Sequence, residues 1–204
     1  MERDDRPPVA PVAPVATFFS EGVLNEPAVV ELPEGVAHHA RVKRLREGDA
    51  IRLTNGAGTI ASATLERIGR SGCTAAVRSS ERVPPQRAIH LRPPVADRER
   101  MLLLAEKATE LGIASWQAIR WSRSMSVSPR GEGAVFRAKI QARIIAALEQ
   151  SGGAWLPTIL GDADAESIDR PPETLPLLLD ADGEPIMGIG GTSESTVLFG
   201  PEGG

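Results

Sequence analysis

Apolar and polar residues alternate with a period of two in several short stretches of the first half of the chain. Residues 50–54 place Ile51 and Leu53 on one face, which predicts a strand. Asn55-Gly56 follows at once and predicts a hairpin turn. Further strands are predicted at residues 28–32, 59–65 and 73–78. Short strands separated by turns favour a small β-barrel or sandwich over residues 17–85.

A helical period replaces this alternation after residue 86. Asp97 is placed to cap a helix that runs to Leu111 and stops at Gly112. A second helix is predicted over residues 134–151 and ends at Gly152-Gly153. The apolar face of the first helix comprises Met101, Leu104, Ala105, Ala108 and Leu111, and that of the second Phe136, Ile140, Ile144, Ala147 and Leu148.

Short apolar runs surround these helices and predict the strands of a parallel sheet. They lie at residues 88–91, 177–179 and 196–199, and we expect each to be buried. Strand and helix alternate from residue 86 to 204, which favours a parallel α/β domain. Pro84-Pro85 is the expected linker between the two domains. Residues 1–16 are rich in proline and predict a disordered tail.

Charge is distributed unevenly along the chain. The net charge is −4 over 204 residues, but residues 86–150 hold 11 basic and 6 acidic side chains, whereas residues 151–204 hold 1 and 10. A basic block in an acidic protein suggests a polyanionic partner such as RNA, although a solvated helical face gives the same pattern.

Several kinds of chemistry find no support in the sequence. The single cysteine, Cys73, excludes an internal disulfide and a multi-cysteine zinc site, and His38-His39 has no nearby ligand to complete a metal site. There is no Gly-x-Ser-x-Gly elbow. No apolar run of 18 residues predicts a membrane span, and no basic-then-apolar segment predicts secretion, so we expect a cytoplasmic protein.

The best candidate for ligand binding is the glycine-rich turn of residues 200–204, which directly follows an apolar strand. Such turns at the ends of parallel strands bind ligands in α/β proteins, because glycine lets the backbone approach closely. A structural turn remains the alternative. Residues 188–191 are also rich in glycine but lack the spacing of a dinucleotide-binding loop.

Basic side chains near a serine-rich segment are candidates for phosphate contacts. Arg120, Arg123 and Arg130 flank residues 122–128, and arginine suits phosphate recognition. A solvated loop is the alternative. Lys107 and Glu110, three residues apart on the first helix, are equally well explained as a surface ion pair.

Together, these segments resemble those of one family, the RsmE-type 16S rRNA (uridine-N3) methyltransferases. Residues 38–49 and Asn55-Gly56 resemble its N-terminal PUA-like barrel, and residues 107–112 its K-x-x-E-L-G helix. Arg123-Ser124 is similar to the end of its S-E-R-S loop. Residues 147–151 with Pro157 resemble its A-x-E-Q-S signature, and residues 198–204 its G-P-E-G-G loop.

The resemblance implies a fold, a cofactor and a partner. It implies an α/β protein with a PUA-like barrel and a SPOUT-type domain that has a trefoil knot and forms a homodimer. It further implies S-adenosyl-L-methionine as cofactor and 16S rRNA of the small ribosomal subunit as substrate. The implied cofactor-binding residues are Leu179, Leu198, Phe199, Gly200, Pro201, Glu202, Gly203 and Gly204, and the implied RNA-binding residues are Arg41, Lys43, Arg44, Lys107, Arg120 and Arg123.

Methyl transfer to uridine N3 sets requirements that these residues would meet. The base must be unpaired and turned outward, and N3 must lose its proton. Arg123 and Glu202 are the candidate catalytic residues, Arg123 to hold phosphate or the developing anionic uracil. The alternatives are another SPOUT methyltransferase with a different RNA target, and a non-catalytic RNA-binding protein with a degenerate knot. Family members continue past Gly204, so we expect the knot to be incomplete in these residues.

Overall fold

The computed structural model describes residues 14–70, 72–122, 128–168, 174–180, 182–183, 185 and 194–200. A first five-stranded sheet has the order β1-β3-β4-β5-β2 and carries one helix, α1. Its elements are β1 (Thr17–Phe19), β2 (Ala28–Pro33), α1 (Glu34–Val42), β3 (Ala50–Thr54), β4 (Thr59–Ile68) and β5 (Gly72–Arg82). Only β1 pairs in parallel, with β3, whereas the other pairs are antiparallel.

The first sheet and α1 share one hydrophobic core. Phe18 of β1 and Leu53 of β3 are fully buried in it, together with Ala37 of α1. The strands predicted at residues 28–32, 50–54, 59–65 and 73–78 are confirmed, and β4 and β5 extend further than predicted. The Asn55-Gly56 hairpin is also confirmed, with Asn55 Oδ1 accepting hydrogen bonds from the amides of Ala57 and Thr59.

The helix α1 is not predicted by the sequence pattern. Its nine residues bury only Val36, Ala37 and Ala40, and two of these are alanines, so the apolar stripe is faint. The strand β1 has only three residues, which are too few to show an alternation of apolar and polar positions. Ahead of it, the Val15 amide donates to the Ala50 carbonyl and Ala16 is buried, although both residues lie in the predicted tail. Residues 1–13 of that tail lie outside the described part.

The second sheet is parallel and has the order β11-β12-β6-β7-β9. A separate pair of two-residue strands, β8 and β10, is also parallel. The remaining elements are β6 (Ala88–Arg92), α2 (Arg98–Glu110), β7 (Ser115–Trp116), β8 (Ile119–Arg120), α3 (Ala134–Ser151), β9 (Thr158–Ile159), β10 (Ala163–Asp164), a 3-10 turn (Ala165–Ser167), β11 (Leu175–Leu179) and β12 (Glu194–Phe199). The predicted parallel α/β arrangement is confirmed.

The helices α2 and α3 pack on each other and bury apolar residues of β6 and β7 in one cluster. The predicted Asp97 cap is confirmed, since its Oδ1 accepts a hydrogen bond from the Arg100 amide at 3.0 Å. The predicted bounds and buried face of α3 are confirmed, and Gly152 ends it with a positive φ of 69°. The prediction for Leu111 is wrong: it caps α2 and is 79% exposed, because the helix ends one residue earlier and turns it outward.

The strand predictions at residues 177–179 and 196–199 are confirmed, but the expected burial holds less well for the first. Leu178 and Leu179 are 63% and 54% exposed. They belong to β11, which lies at the edge of the sheet, so nothing among the described residues covers them fully. No helix in the described part is long and apolar enough to cross a membrane.

Candidate functional site

The carboxyl ends of β11 and β12 lie side by side, and the glycine-rich residues 200–204 follow β12. Leu179 is in register with Phe199, and Leu198 with Leu178. Gly200 follows Phe199, and no atom of the described residues lies within 4 Å of the position of a Cβ added to it. The structure thus brings Leu179, Leu198, Phe199 and Gly200 to one edge of the sheet, the edge formed by the carboxyl ends of its strands. The other predicted cofactor-binding residues, Pro201 to Gly204, lie outside the described residues.

A parallel sheet commonly binds its ligand at this edge, because the loops that follow its strands gather there. Leu179 offers an exposed apolar side chain, and glycine at position 200 lets a ligand come close to the main chain. An apolar surface beside an accessible main chain suits a ligand that has both a flat ring and polar groups.

A polar layer lies beside this edge, on the next two strands. Arg92 of β6 is only 1% exposed, and its Nη1 donates to Ser115 Oγ of β7 at 3.0 Å and to the Leu91 carbonyl at 3.2 Å. His90 Nδ1 lies 2.8 Å from the same hydroxyl oxygen, and its Nε2 faces the Glu194 carboxylate at 3.7 Å.

Sequence reasoning misses this layer because it treats residues 88–91 as a uniformly buried apolar strand. The signal is present, since Ile89 and Leu91 alternate with His90 and Arg92. Ile89 and Leu91 pack toward α2 and α3, which leaves the polar pair on the opposite face of the sheet. Thr196 of β12, fully buried, pairs in register with His90 and bonds to the Thr174 hydroxyl at 2.8 Å.

The basic residues of the α/β domain are held by carboxylates. Arg120 Nε lies 2.7 Å from Glu132, and its other nitrogens lie 3.6 Å from Asp162 and 3.5 Å from Asp164. The hydrogen bond with Glu132 is the largest cause of the raised pKa of Arg120. These contacts hold the partly exposed guanidinium against three carboxylates.

Lys107 is held in the same way, between two acids on its own helix. Its Nζ lies 2.8 Å from Glu110 and 3.0 Å from Glu106. The pKa of Lys107 is raised, first by Glu110 and then by Glu106. Glu106 is shared with Arg143 of α3 at 2.8 Å, and hydrogen bonds from Lys107 and Arg143 lower its pKa. Much of the positive charge that stands out along the sequence is therefore matched by acids in the folded domain.

The barrel presents its predicted RNA-binding residues differently. Arg41, Lys43 and Arg44 are all exposed and lie together at the end of α1. The Arg41 guanidinium donates to the Gly69 carbonyl, and Arg44 has a positive φ of 58° that turns the chain after the helix. The structure does not place this group on the same element as Lys107 or Arg120, and Arg123 lies outside the described residues.

The segment that joins α3 to β9 binds the barrel, and we call residues 149–156 the junction segment. Glu149 Oε1 accepts from the Phe19 amide at 2.8 Å, and the Gly153 carbonyl accepts from Thr54 Oγ1 at 2.9 Å. Two further backbone bonds join Gly58 N to the Ala154 carbonyl and Leu156 N to the Gly56 carbonyl, both at 2.8 Å. The A-x-E-Q-S segment therefore lies at the contact between the domains.

A cleft of about 520 Å³ opens beside the junction segment. It is lined by residues of both domains, among them Ile60, Pro85, Arg87, Glu110, Leu111 and Trp155. Trp155 Nε1 donates to the Val83 carbonyl at 3.2 Å, and the Arg82 guanidinium lies 5.2 Å from the centre of the Trp155 ring.

Metal-binding and nucleophilic groups do not gather in the part of the chain that the structure covers. Among its residues, no three His, Cys, Asp or Glu side chains are placed to hold a metal ion. Cys73 is a free, buried thiol of β5, and burial raises its pKa. His39 packs its ring edge against Phe18 at 5.8 Å rather than meeting another ligand.

Comparison with known proteins identifies both halves of the chain. A family model described as an RNA methyltransferase PUA domain matches residues 32–78, and one described as an RNA methyltransferase domain matches residues 84–204. Ribosomal RNA small subunit methyltransferase E from Mycobacterium bovis is 39% identical over 102 residues, which cover 46% of this chain and 37% of that protein. This match thus spans well under half the length of the curated relative.

Solved structures resemble the chain over most of its length. One is ribosomal RNA small subunit methyltransferase E from Neisseria gonorrhoeae bound to S-adenosyl methionine, with 25% identity, a TM-score of 0.79 and coverage of 93% of this chain and 81% of that one. Another, described as a predicted RNA methyltransferase from Thermotoga maritima, has 26% identity, a TM-score of 0.69 and coverage of 93% and 82%.

These matches confirm the expected architecture of a PUA-like barrel followed by a SPOUT-type α/β domain. The second family model alone spans more than half of the 204 residues, and it covers the parallel sheet, both long helices and the glycine-rich turn. The chain is therefore a member of the RNA methyltransferase family, and it is similar to ribosomal RNA small subunit methyltransferase E.

Proposed function

We propose that this protein transfers a methyl group from S-adenosyl-L-methionine to N3 of a uridine in 16S rRNA of the small ribosomal subunit. One observation carries the proposal: β11 and β12 end side by side at Leu179 and Phe199, and the Gly-Pro-Glu-Gly-Gly sequence follows β12 directly. The relative from Neisseria gonorrhoeae, which shares this fold, is described as bound to S-adenosyl methionine.

The described part of the edge fits such a cofactor. Leu179 is exposed, and no described residue crowds the Cβ position of Gly200, so we expect an adenine ring to meet an apolar side chain and a ribose to meet the main chain of the glycine-rich residues. We expect Leu179, Leu198, Phe199 and Gly200 to hold the cofactor together with Pro201, Glu202, Gly203 and Gly204. When bound, the cofactor supplies an electrophilic methyl group on a sulfonium centre.

The residues of the chain must prepare uridine N3 to attack. N3 carries a proton and takes part in base pairing, so the protein must hold the base unpaired and favour its anionic form. We assign Arg123 to holding a phosphate or the developing negative charge of the uracil, and Glu202 to a polar contact near the reacting groups. The remaining task is alignment of N3 with the methyl carbon, which depends on how both domains are held.

The barrel supplies the exposed cations for RNA. Arg41, Lys43 and Arg44 are the part of the predicted RNA-binding set that lies exposed together, at and just after the end of α1. Lys107 and Arg120 contribute less in this proposal, because their charges are already matched by carboxylates. We further propose that the protein acts as a homodimer in the cytoplasm, where the small subunit is assembled.

The deciding experiment is methylation of small ribosomal subunits that lack the modification, with S-adenosyl-L-methionine labelled in its methyl group and nucleoside analysis of the product. We expect labelled 3-methyluridine. A different labelled nucleoside would indicate another RNA target. The Arg123→Lys variant keeps the charge and Arg123→Ala removes it, so activity of the first above that of the second supports the charge-holding role.

A non-catalytic RNA-binding protein predicts the opposite result in the same assay. RNA binding would persist and fall with salt, but no label would be transferred, including by a chain extended beyond Gly204. Calorimetric titration of the 204-residue chain with S-adenosyl-L-methionine tests the cofactor site separately. Heat from one-to-one binding supports the assigned edge, whereas absence of heat in the extended chain contradicts it.

A further inference from the structure

We propose that Glu149 is a positioning residue that fixes the barrel on the α/β domain. Glu149 lies in the last turn of α3. Its carboxylate oxygen accepts a hydrogen bond of 2.8 Å from the Phe19 amide of the barrel. By fixing the barrel, Glu149 would also set where RNA bound to the barrel meets the cofactor edge, and this consequence for catalysis rests on the proposed function. The role of Glu149 in orienting the domains does not depend on the proposed function.

The bond has a clear structural reason. β1 is an edge strand of the first sheet, so its outward backbone groups have no neighbouring strand to pair with. The Ser20 amide turns inward to the Thr54 carbonyl of β3, whereas the Phe19 amide turns outward to Glu149. The Glu149 carboxylate, on a helix of the α/β domain, therefore supplies the hydrogen-bond acceptor for an amide on the edge strand of the barrel.

The rest of the junction segment continues the same contact. The Gly153 and Ala154 carbonyls and the Leu156 amide bond to Thr54, Gly58 and Gly56, which lie in β3 and the β3–β4 loop. Glu149 is the only carboxylate among these bonds of the described junction, and it reaches β1, while the others reach β3 and the β3–β4 loop. Each attachment to a further element of the sheet restricts rotation of the barrel more, and Glu149 supplies the attachment to β1.

The bond from the Phe19 amide needs an acceptor oxygen at Glu149. Burial is the largest influence on the carboxyl and raises its pKa, while the Phe19 bond, His39 of α1 and Lys43, which directly follows α1, lower it. The Arg52 guanidinium of β3 also reaches the junction segment, where it lies near Gly152. A neutral glutamine keeps an Oε1 acceptor at the same distance along the side chain, so Glu149→Gln should preserve the bond and Glu149→Ala should remove it.

The test measures the orientation of the domains directly. Spin labels attached at Val29→Cys in β2 and Leu103→Cys in α2 report the distance between the domains, because both positions are exposed and the native Cys73 is buried. We expect Glu149→Ala to broaden the distance distribution and Glu149→Gln to leave it as in the parent. Gln150→Ala, one residue further along and exposed, is the matched control. An unchanged distribution in Glu149→Ala would overturn the proposal.

A second readout separates positioning from catalysis. With a small-subunit rRNA fragment, Glu149→Ala should weaken RNA binding by about fivefold to tenfold, as loss of one hydrogen bond to a partly buried carboxylate implies. Its affinity for S-adenosyl-L-methionine should be unchanged, and Glu149→Gln should restore RNA binding. Failure of Glu149→Gln to restore it would contradict the role as an acceptor. If the parent binds no RNA, the proposed function fails while the distance measurement still decides the orientation.

Discussion

At the scale of single residues, the most informative side chain is one to which the sequence pattern does not draw attention. Arg92 lies almost fully buried between β7 and β12, and its hydrogen bond to Ser115 Oγ offsets part of the cost of removing its charge from water. A short apolar run suggests only a plain strand there. The alternation of Ile89 and Leu91 with His90 and Arg92 shows that a polar face can be read from the sequence, provided that both faces are considered.

Replacing Ser115 should therefore be costly for its size. Ser115→Ala removes the hydroxyl that accepts from Arg92 and meets His90, so we expect the unfolding free energy to fall by about 1–3 kcal/mol. Urea-induced unfolding measures this loss. The exposed Ser79→Ala in β5 is the control, with an expected change within about 0.5 kcal/mol. Equal effects of the two substitutions would contradict the bonding pattern.

Glu149 gives a prediction about pH. Because its pKa is raised above the ordinary value of 4.5, the carboxyl stabilises the fold most below that value, and the contribution is lost as pH rises through the raised pKa. Glu149→Gln does not titrate, so we expect it to gain stability relative to the parent between acidic and neutral pH. Unfolding free energies of both proteins at several pH values test this. A difference that stays constant, or grows toward acid, would refute it.

At the scale of elements, prediction succeeds where one segment has a full apolar stripe. The bounds of α3 and its five buried residues follow from spacing and from Gly152-Gly153, and the cap of α2 follows from Asp97. Prediction from the sequence fails for α1 because small side chains make the apolar stripe of that helix faint. It also fails for Leu111, because the apolar pattern of α2 continues one residue beyond the end of the helix. The pairing order of the strands is a long-range property that no local pattern contains.

The β3–β4 loop gives a test of close packing between elements. Gly58 has a φ of 92°, and a Cβ there would overlap the Trp155 ring of the junction segment. Gly48 has a nearly equal φ of 94° but no atom within 4 Å of its added Cβ. We expect Gly48→Ala to cost about 1–2 kcal/mol from backbone strain alone, and Gly58→Ala to cost clearly more. Thermal or urea unfolding compares them, and equal losses would show that the packing against Trp155 is not tight.

At the scale of the whole molecule, the charge pattern of the sequence is a poor guide to the charged surface. The basic block of residues 86–150 is interleaved in space with acids, some of them from the acidic last third, as Asp162 and Asp164 beside Arg120 show. The exposed cations of the barrel are identified through the family resemblance. The sequence predicts the position of the candidate cofactor site, directly after β12. It does not predict the role of Glu149, because that role depends on a contact between the two domains.

The salt dependence of RNA binding tests this redistribution of charge. Changing Arg41, Lys43 and Arg44 together to alanine should reduce the slope of log affinity against log salt by about 0.7–0.9 for each RNA phosphate that the variant no longer neutralises. Lys107→Ala should change the slope less, because Glu106 and Glu110 already neutralise the ammonium. Filter binding over a range of salt concentrations measures both. A larger effect of Lys107→Ala than of the triple change would reverse the assignment.

The bonds between Gly58 and Ala154 and between Leu156 and Gly56 have a consequence for sequence variation. Both use only main-chain atoms, and with the antiparallel bridge between Ala57 and Trp155 they form a miniature ladder across the domain boundary. Main-chain bonds survive most changes of side chain. This ladder can therefore persist while the side chains around it diverge, with Glu149 setting the orientation beside it, and proline in place of Gly58 or Leu156 is the change that the ladder cannot tolerate.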